Sequence, residues 1–484
     1  MFDTHKLYGA DSAKVSSALE QKIVSEAKAL GNKCAPGEVQ LVLSEDLTKQ
    51  VAVVGLGSEE SLKASKSEIV RTAVANGVKR LRANNVSKVS VASMPCQHAS
   101  GEAVPLALYK FDAFKSKKGE KEEGEKEEEV VVTHASSEPC GSDLSHGWET
   151  GRVYAEAQNL ARDLANTPAN FMTPTLFANR AKSELAEFKN VQVNIYDQKW
   201  AEEQRMGGLL AVSKGSDEPL RFLEIIYKGA EDSSEVPLAM VGKGITFDTG
   251  GYSLKLGKNM DLMKGDMGGG AVVVSALRAI AQLKLPINVV ATVPLCENMI
   301  SGGATKVSDV YTSRGGLTVE VMNTDAEGRI VLADALHYTV DTHKPKAIVD
   351  VATLTGAMVV ALGELYTGVF TPSPTLWQTI ELAGKRTDEA VWRMPLHDTW
   401  DSMLKSSIAD MSNIGNKAEA GACTAAAFLR QFNSDETLPR WAHLDIAGPM
   451  ETTSSSGYHH PGMSGRPTRL LIELAHQLAK KPLA

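Results

Sequence analysis

The heptapeptide Asn323-Thr324-Asp325-Ala326-Glu327-Gly328-Arg329 decides how the rest of this chain is read. A strand-like run, Leu317 to Met322, precedes it, and a helix-like run, Ile330 to Tyr338, follows it. Two carboxylates and an arginine are therefore expected on a strand-to-helix loop. Open α/β sheets bind ligands in the crevices outside the C-terminal ends of such strands. Asp325 and Glu327 are two apart, so in an extended segment their side chains point the same way. Carboxylates so placed repel each other or share a cation, and hard divalent ions and zinc both take carboxylate oxygen. Arg329 stays charged and offers a flat fork of donors to an oxyanion.

A second stretch lies upstream, Val241-Gly242-Lys243-Gly244-Ile245-Thr246-Phe247-Asp248-Thr249-Gly250-Gly251. It continues through Ser253, Leu254 and Lys255 to Met260-Asp261-Leu262-Met263-Lys264-Gly265-Asp266-Met267-Gly268-Gly269. Pro237 to Val241 reads as a buried strand followed by Gly-rich turns, where the backbone can approach a ligand closely.

The two stretches together resemble the leucine aminopeptidase (cytosol aminopeptidase) family of two-metal exopeptidases. The heptapeptide matches that family's signature in full, and the two motifs agree in spacing as well as residue type. The resemblance is close over roughly residues 150 to 484 and looser over the N-terminal third.

A chain of 484 residues is too long for one ordinary domain, and two or three are expected. A net charge of −8 argues against non-specific binding to nucleic acid. No apolar run approaches the roughly eighteen residues a membrane span needs. The start, Met1-Phe2-Asp3-Thr4-His5-Lys6, has neither the apolar core of a signal peptide nor the look of a mitochondrial presequence. A cytoplasmic location is expected, or a mitochondrial one if a presequence has been removed. The five cysteines, Cys34, Cys96, Cys140, Cys296 and Cys423, are scattered and form no CxxC pair, as free thiols in a reducing compartment would be.

The expected fold class is α/β. A small N-terminal α/β domain (1–143) joins, through a long helix (144–166), a larger C-terminal α/β catalytic domain (167–484). That larger domain has a central mixed sheet covered by helices. In the N-terminal domain, Val39–Leu43, Val51–Leu56 and Lys88–Ala92 read as strands and Glu60 to Leu81 as one helix. Gly55-Leu56-Gly57 lacks the third glycine of a dinucleotide loop. Lys115 to Glu129 holds five lysines, seven glutamates and no apolar residue, the composition of a solvated or disordered insertion. It precedes the strand Val130–Thr133 and so interrupts the domain. Leu144 to Leu164 reads as the connecting helix, stopped near Pro168 and Pro174.

In the catalytic domain, strands are expected at Val191–Tyr196, Phe222–Tyr227, Leu238–Val241, Ile287–Val293, Leu317–Met322, Ala347–Thr353 and His443–Ile446. Helices are expected at Gly270–Leu283, Ile330–Tyr338, Pro374–Ala383, Thr424–Phe432 and Thr468–Leu478. Strands this apolar imply a sheet covered on both faces.

Four carboxylates, Asp248, Asp266, Asp325 and Glu327, carry the charge that matches two divalent cations; without metal they would raise one another's pKa. The resemblance implies that Asp248 and Glu327 bridge both metals, that Asp325 binds one and Asp266 the other, and that Lys243 is a fifth ligand. A lysine coordinates only as the neutral amine, so its pKa must be depressed; the alternative is a lysine paired with nearby carboxylates. The match makes Lys255 the catalytic lysine, its ammonium stabilising the forming oxyanion; the alternative is a surface lysine like Lys258 and Lys264. No His-Glu-x-x-His pair is present. The resemblance instead has Arg329 hold a bicarbonate ion as proton acceptor; the alternative is that Arg329 only neutralises Asp325 and Glu327.

The cofactors implied are two divalent metal ions per subunit, zinc foremost, with manganese, magnesium or cobalt at an exchangeable site, and bicarbonate. The activity implied is removal of N-terminal residues, leucine and other apolar residues preferred, by a metal-activated water. A pocket for the substrate side chain would involve Met263, Thr353, Gly356, Ala447 and Met450, with Asn323 and the backbone near Leu354 and Asp325 gripping the substrate. Each pocket residue also suits an ordinary core. Gly457-Tyr458-His459-His460-Pro461 reads as a surface turn, and His337 and His443 as satisfied core histidines.

Tyr252 stands where the family usually has a small aliphatic residue, and Leu256-Gly257-Lys258 also departs from the common form, both beside Lys255. The alternatives to an active peptidase are a scaffold role, which intact ligands disfavour, nucleic-acid binding, which the charge disfavours, and a Cys-Gly dipeptidase using the same site. The resemblance also implies a homohexamer, a dimer of trimers, acting on peptide substrates.

Overall fold

The apolar runs that end near Gly242, Asn298, Ala352 and Asp445 become neighbouring strands of one sheet. The computed structural model describes residues 21–23, 25, 35–43, 50–92, 94–116, 130–134, 147–232, 234–432 and 440–483. Most of the Lys/Glu-rich insertion expected to Glu129, the helix start expected at Leu144, and Cys34 and Cys140 lie outside the described residues. The chain forms two compact units, Met1–Asn159 with Thr453–Pro461, and Leu160–Thr452 with Gly462–Ala484.

In the larger unit the sheet has nine strands, in the order Val391–Arg393, Thr367–Phe370, Arg440–Asp445, Ala347–Ala352, Leu238–Gly242, Asn288–Asn298, Arg221–Lys228 and Val191–Tyr196, with Gly244–Asp248 also on Asn288–Asn298. The four central strands run parallel, whereas Thr367–Phe370 and Arg221–Lys228 pair antiparallel with their central neighbours, so the sheet is mixed. The face carrying Ala239, Val241, Val290, Ile348 and Ala352 packs in one core cluster with Ile330, Val331 and Leu332 of the helix Glu327–His343. Strand residues of the other parity point the opposite way. There Val293 lies against Gly270 of the helix Gly268–Gln282. Both faces are covered, which is why the central strands show almost no polar alternation.

One expected strand belongs elsewhere. Thr318–Glu320 forms a separate three-stranded sheet with Val310–Thr312 and Met411–Ser412. A run of four to eight apolar residues fixes a strand but not its sheet.

In the smaller unit, Val39–Leu43 and Gln50–Val54 pair antiparallel, and Lys88–Val91 and Val131–His134 pair parallel. The single helix expected from Glu60 is two, Glu59–Ala64 and Lys66–Ala83, broken where Ser65 leaves helical backbone at φ −144° and ψ 52°. Gln97–Leu108 is a helix that periodicity could not reveal, because nearly every residue in it is buried and no amphipathic stripe exists. The expected surface turn at Gly457–Pro461 is instead anchored in this unit. Tyr458 is buried and its hydroxyl donates to Glu68 Oε2 at 3.0 Å, and His460 Nε2 lies 3.0 Å from the Leu106 carbonyl. Cys96, Cys296 and Cys423 are free and buried.

Candidate metal centre

Five of the site's residues stand at or just past the ends of adjacent parallel strands: Lys243, Asp248, Asn298, Thr353 and Asp445. Lys243 interrupts what would otherwise be one long strand, since Leu238–Gly242 and Gly244–Asp248 both pair parallel with Asn288–Asn298. At the break the Lys243 N–H donates across to the Val351 carbonyl at 3.0 Å. The side chain then runs over Gly328, where an added Cβ would sit 2.7 Å from Lys243 Cε and 2.8 Å from Nζ. Gly328 leaves the space through which the lysine reaches the carboxylates.

Lys243 Nζ lies 2.7 Å from Asp266 Oδ2 and 2.9 Å from Glu327 Oε1, and donates to the Thr353 carbonyl at 3.1 Å. Lys255 Nζ lies 2.8 Å from Asp248 Oδ2 and 2.5 Å from Asp325 Oδ1. The residues expected as ligands therefore converge, with each lysine ammonium set between two of the four carboxylates. One carboxylate oxygen each from Asp248, Asp325 and Glu327 lie within 4.8 Å of one another. Glu327 Oε2 is buried and accepts no hydrogen bond. The Lys255 and Asp325 side chains retain 23% and 32% exposure while Asp248 retains 2%, so these two form the solvent-facing side of the cluster.

Four carboxylates face two ammonium groups. Burial, then the charges of neighbouring carboxylates, push Asp266 well above the ordinary carboxylate range and raise Glu327 and Asp325. Burial works against the charge on Lys243, but Asp266, Glu327 and Asp248 outweigh it and raise the amine. Ligation by Lys243 requires the neutral amine, so binding a cation there would release its proton. A surplus of buried negative charge with an orphaned carboxylate oxygen and an amine in the same cluster fits divalent cations.

The heptapeptide departs from the expected geometry in one respect. Only Asn323 to Ala326 form the loop; Glu327 begins the helix that ends at His343, so Glu327 and Arg329 lie in its first turn. Asp325 and Glu327 converge through this loop-to-helix bend and not through extended alternation, because Ala326 sits at φ −109° and ψ 43°. Asn323 Oδ1 accepts the Asp325 N–H at 2.8 Å, an Asx turn that aims the carboxylate. Arg329 is buried, which lowers its guanidinium to about 10. Its Nη1 donates to the Asn413 carbonyl at 3.1 Å and its Nε has no partner. Among the described residues it makes no ion pair with Asp325 or Glu327.

Several positioning residues carry no sequence signal. Asn298 Nδ2 donates to Asp248 Oδ1 and to the Thr324 carbonyl, at 2.8 and 2.9 Å. Asp248 Oδ1 also accepts the N–H of Gly250, whose φ of +86° favours glycine. Asn413 accepts the N–H groups of Met322 and Asn323 and donates to the Asn323 carbonyl. An asparagine far away in sequence has no spacing to betray it.

The residues expected to meet substrate lie on the loops around the cluster. Thr353 Oγ1 donates to Asp266 Oδ1 at 2.8 Å, and Met263 accepts the Asp266 N–H at 3.2 Å. The Leu354 and Ala447 N–H groups share Asp445 Oδ1. Gly356 is exposed, whereas Met450 is 1% exposed and packs on Gly268. Tyr252 reaches sideways, its hydroxyl donating to the Ser301 carbonyl at 2.9 Å.

The comparisons with known proteins agree with this geometry. Residues 159–472 match the cytosol aminopeptidase family's catalytic domain, and residues 1–118 its N-terminal domain. The cytosol aminopeptidase of Xenopus tropicalis is 46% identical over 90% of this chain and 82% of that protein. That of Homo sapiens is 47% identical over 87% and 80%. The solved structure of the bottromycin maturation enzyme BotP in complex with Mn superposes with a TM-score of 0.84 at 34% identity, covering 94% of this chain and 96% of that one. Matches of this extent to both domains mean that the chain belongs to the cytosol aminopeptidase family and is a metallo-exopeptidase.

Proposed function

We propose that the protein removes N-terminal residues from peptides, leucine and other apolar residues preferred, using two divalent cations held by Lys243, Asp248, Asp266, Asp325 and Glu327. The observation that carries this is the convergence of one oxygen each from Asp248, Asp325 and Glu327 within 4.8 Å of one another, with Glu327 Oε2 buried and unbonded. Two cations, zinc foremost or manganese, magnesium or cobalt at an exchangeable position, together with bicarbonate on Arg329, would supply an acidified water, a Lewis acid and a proton acceptor.

The chain's own residues do the rest. Lys255 places an ammonium at the exposed edge of the cluster, held by Asp248 and Asp325, where it can stabilise an oxyanion on the scissile carbonyl. The buried Arg329 fork, its Nε unpaired, suits a flat anion. Asn323 holds Asp325, and Thr353 holds Asp266, so the carboxylates are fixed before substrate arrives. Met263, Thr353, Gly356, Ala447 and Met450 would bound the side-chain pocket, with Leu354 and Asn323 at the substrate backbone.

Exposed Leu256, Val360, Leu365 and Ile408 are the kind of surface an oligomer covers, in keeping with a homohexamer. No described helix is long and apolar enough to cross a membrane. The likeness to BotP favours a second reading of the substrate, a single dedicated peptide in place of many.

The test is hydrolysis of leucine p-nitroanilide after chelation, with zinc, manganese or magnesium restored, beside Asp325→Ala and Lys255→Ala. Metal-restored activity that both variants lack supports the proposal. Folded protein inactive with every metal sinks it.

A further inference from the structure

Asp445 ends the strand Arg440–Asp445 level with Ala352, the last residue of the neighbouring parallel strand. It is fully buried. Beyond these two ends the chain departs as two loops: Thr353–Thr355, which enters the helix Gly356–Leu362, and the segment from Ile446 to Met450. Asp445 holds both. Its Oδ1 accepts the Leu354 N–H at 3.3 Å and the Ala447 N–H at 3.2 Å, and its Oδ2 accepts the Thr355 hydroxyl at 2.6 Å. Thr355 Oγ1 in turn accepts the Met358 N–H at 3.1 Å, in the first turn of that helix. The other end of the first loop is fixed separately, through Thr353 Oγ1 on Asp266.

We propose that Asp445 is a positioning residue that sets the separation of these two loops and so the size of the pocket for the substrate's first side chain. The inference rests on the reading above that Gly356 and Ala447 face that side chain. The physical reason is that no solvent reaches Asp445, so nothing can replace its oxygens when they are removed. Two backbone N–H groups and one hydroxyl would then seek partners, and the loops would shift to find them. Because Thr353 stays tied to Asp266, the shift falls on the chain beyond it, at Leu354 to Gly356 and at Ala447.

The experiment compares kcat and KM on leucine and alanine p-nitroanilides for metal-loaded wild type, Asp445→Ala, Asp445→Asn and Thr355→Val, with metal content measured for each. One methylene more or less in an apolar pocket is worth about 10- to 200-fold. Asp445→Ala is expected to raise KM for leucine and narrow the leucine-to-alanine ratio of kcat/KM about tenfold, with metal content unchanged. Asp445→Asn keeps an oxygen for the Leu354 and Ala447 N–H groups and is expected to restore most of the ratio. Thr355→Val, which removes only the hydroxyl link, is expected to narrow it less; it decides the matter if Asp445→Ala does not fold. A ratio unchanged in Thr355→Val and in folded Asp445→Ala overturns the inference, as does an equal loss of kcat on both substrates. Wild-type protein inactive on both substrates overturns the aminopeptidase reading, and this inference with it.

Discussion

Ser253 and Thr324 exchange hydrogen bonds: the Ser253 N–H donates to Thr324 Oγ1 at 2.7 Å, and the Thr324 N–H donates to Ser253 Oγ at 3.1 Å. Thr324 Oγ1 also donates to the Gly250 carbonyl at 2.6 Å. The loop that carries Lys255 is thereby joined to the loop that carries Asp325. Thr324→Val keeps the shape and removes both hydroxyl bonds, leaving only the backbone N–H on Ser253 Oγ. It is expected to lower kcat/KM on leucine p-nitroanilide by about 100-fold, the cost of misplacing a reacting group by roughly an ångström. Steady-state kinetics beside a thermal melt would show whether the loss is catalytic or a loss of fold.

Asn298 orients Asp248 without touching the place a cation would take. Partners that hold metal ligands are worth about 10- to 100-fold in metal affinity. Asn298→Ala is expected to weaken binding by that factor, read by competition with a chromogenic chelator. Unchanged affinity would remove Asn298 from the site.

Lys255 and Asp325 touch each other but should fail differently. Lys255→Met is expected to keep its metal and lose about 100- to 1000-fold in kcat, the scale of one oxyanion-stabilising group. Asp325→Ala is expected to lose metal itself. Elemental analysis of the two purified proteins separates these outcomes.

Gly328→Ala places a methyl group against the Lys243 ammonium. The expected result is a folded protein, by circular dichroism, with reduced metal content and little activity. Normal activity would mean that Lys243 can reach the carboxylates by another path.

Glu224 predicts an acid limb of stability away from the site. Burial works against its charge, but hydrogen bonds from His343, Asn194 and Tyr338 outweigh that and bring it down to about 2. A carboxyl that is more acidic in the folded than in the unfolded chain stabilises fully above its ordinary range near 4.5, and that stability is lost as pH falls toward 2. Wild type should therefore lose melting temperature more steeply than Glu224→Gln below about pH 4.5. Parallel curves would exclude Glu224 as a source of the acid limb.

Much of the site could be read from residue order because its chemistry is concentrated. Lys243, Asp248 and Asp266 lie within two dozen positions, and Asp325, Glu327 and Arg329 within five. The central strands were legible for a related reason: burial on both faces makes them unbroken apolar runs. What could not be read depended on long-range partners. Nothing near Asn298, Asn413 or Asp445 in sequence says which loop each will hold. The loop-to-helix placement of Glu327 was missed because Ile330 is simply the first residue of the apolar pattern. The buried helix Gln97–Leu108 has no stripe to detect. The turn at Tyr458 looked like surface because its partners, Glu68 and Leu106, lie more than 350 residues away.

That turn has a consequence for dissecting the protein. The chain passes between its two units three times, at 159/160, 452/453 and 461/462, so the units are interlaced and not strung in series. A fragment begun at Leu160 would still carry Thr453–Pro461 but none of the helices on which Tyr458 rests. Its aromatic ring, buried in the intact chain, would be left in water, adhesive and open to proteases. An excised catalytic half should accordingly aggregate or be nicked near Tyr458, and a soluble one would need that loop replaced by a short polar bridge from Thr452 to Gly462.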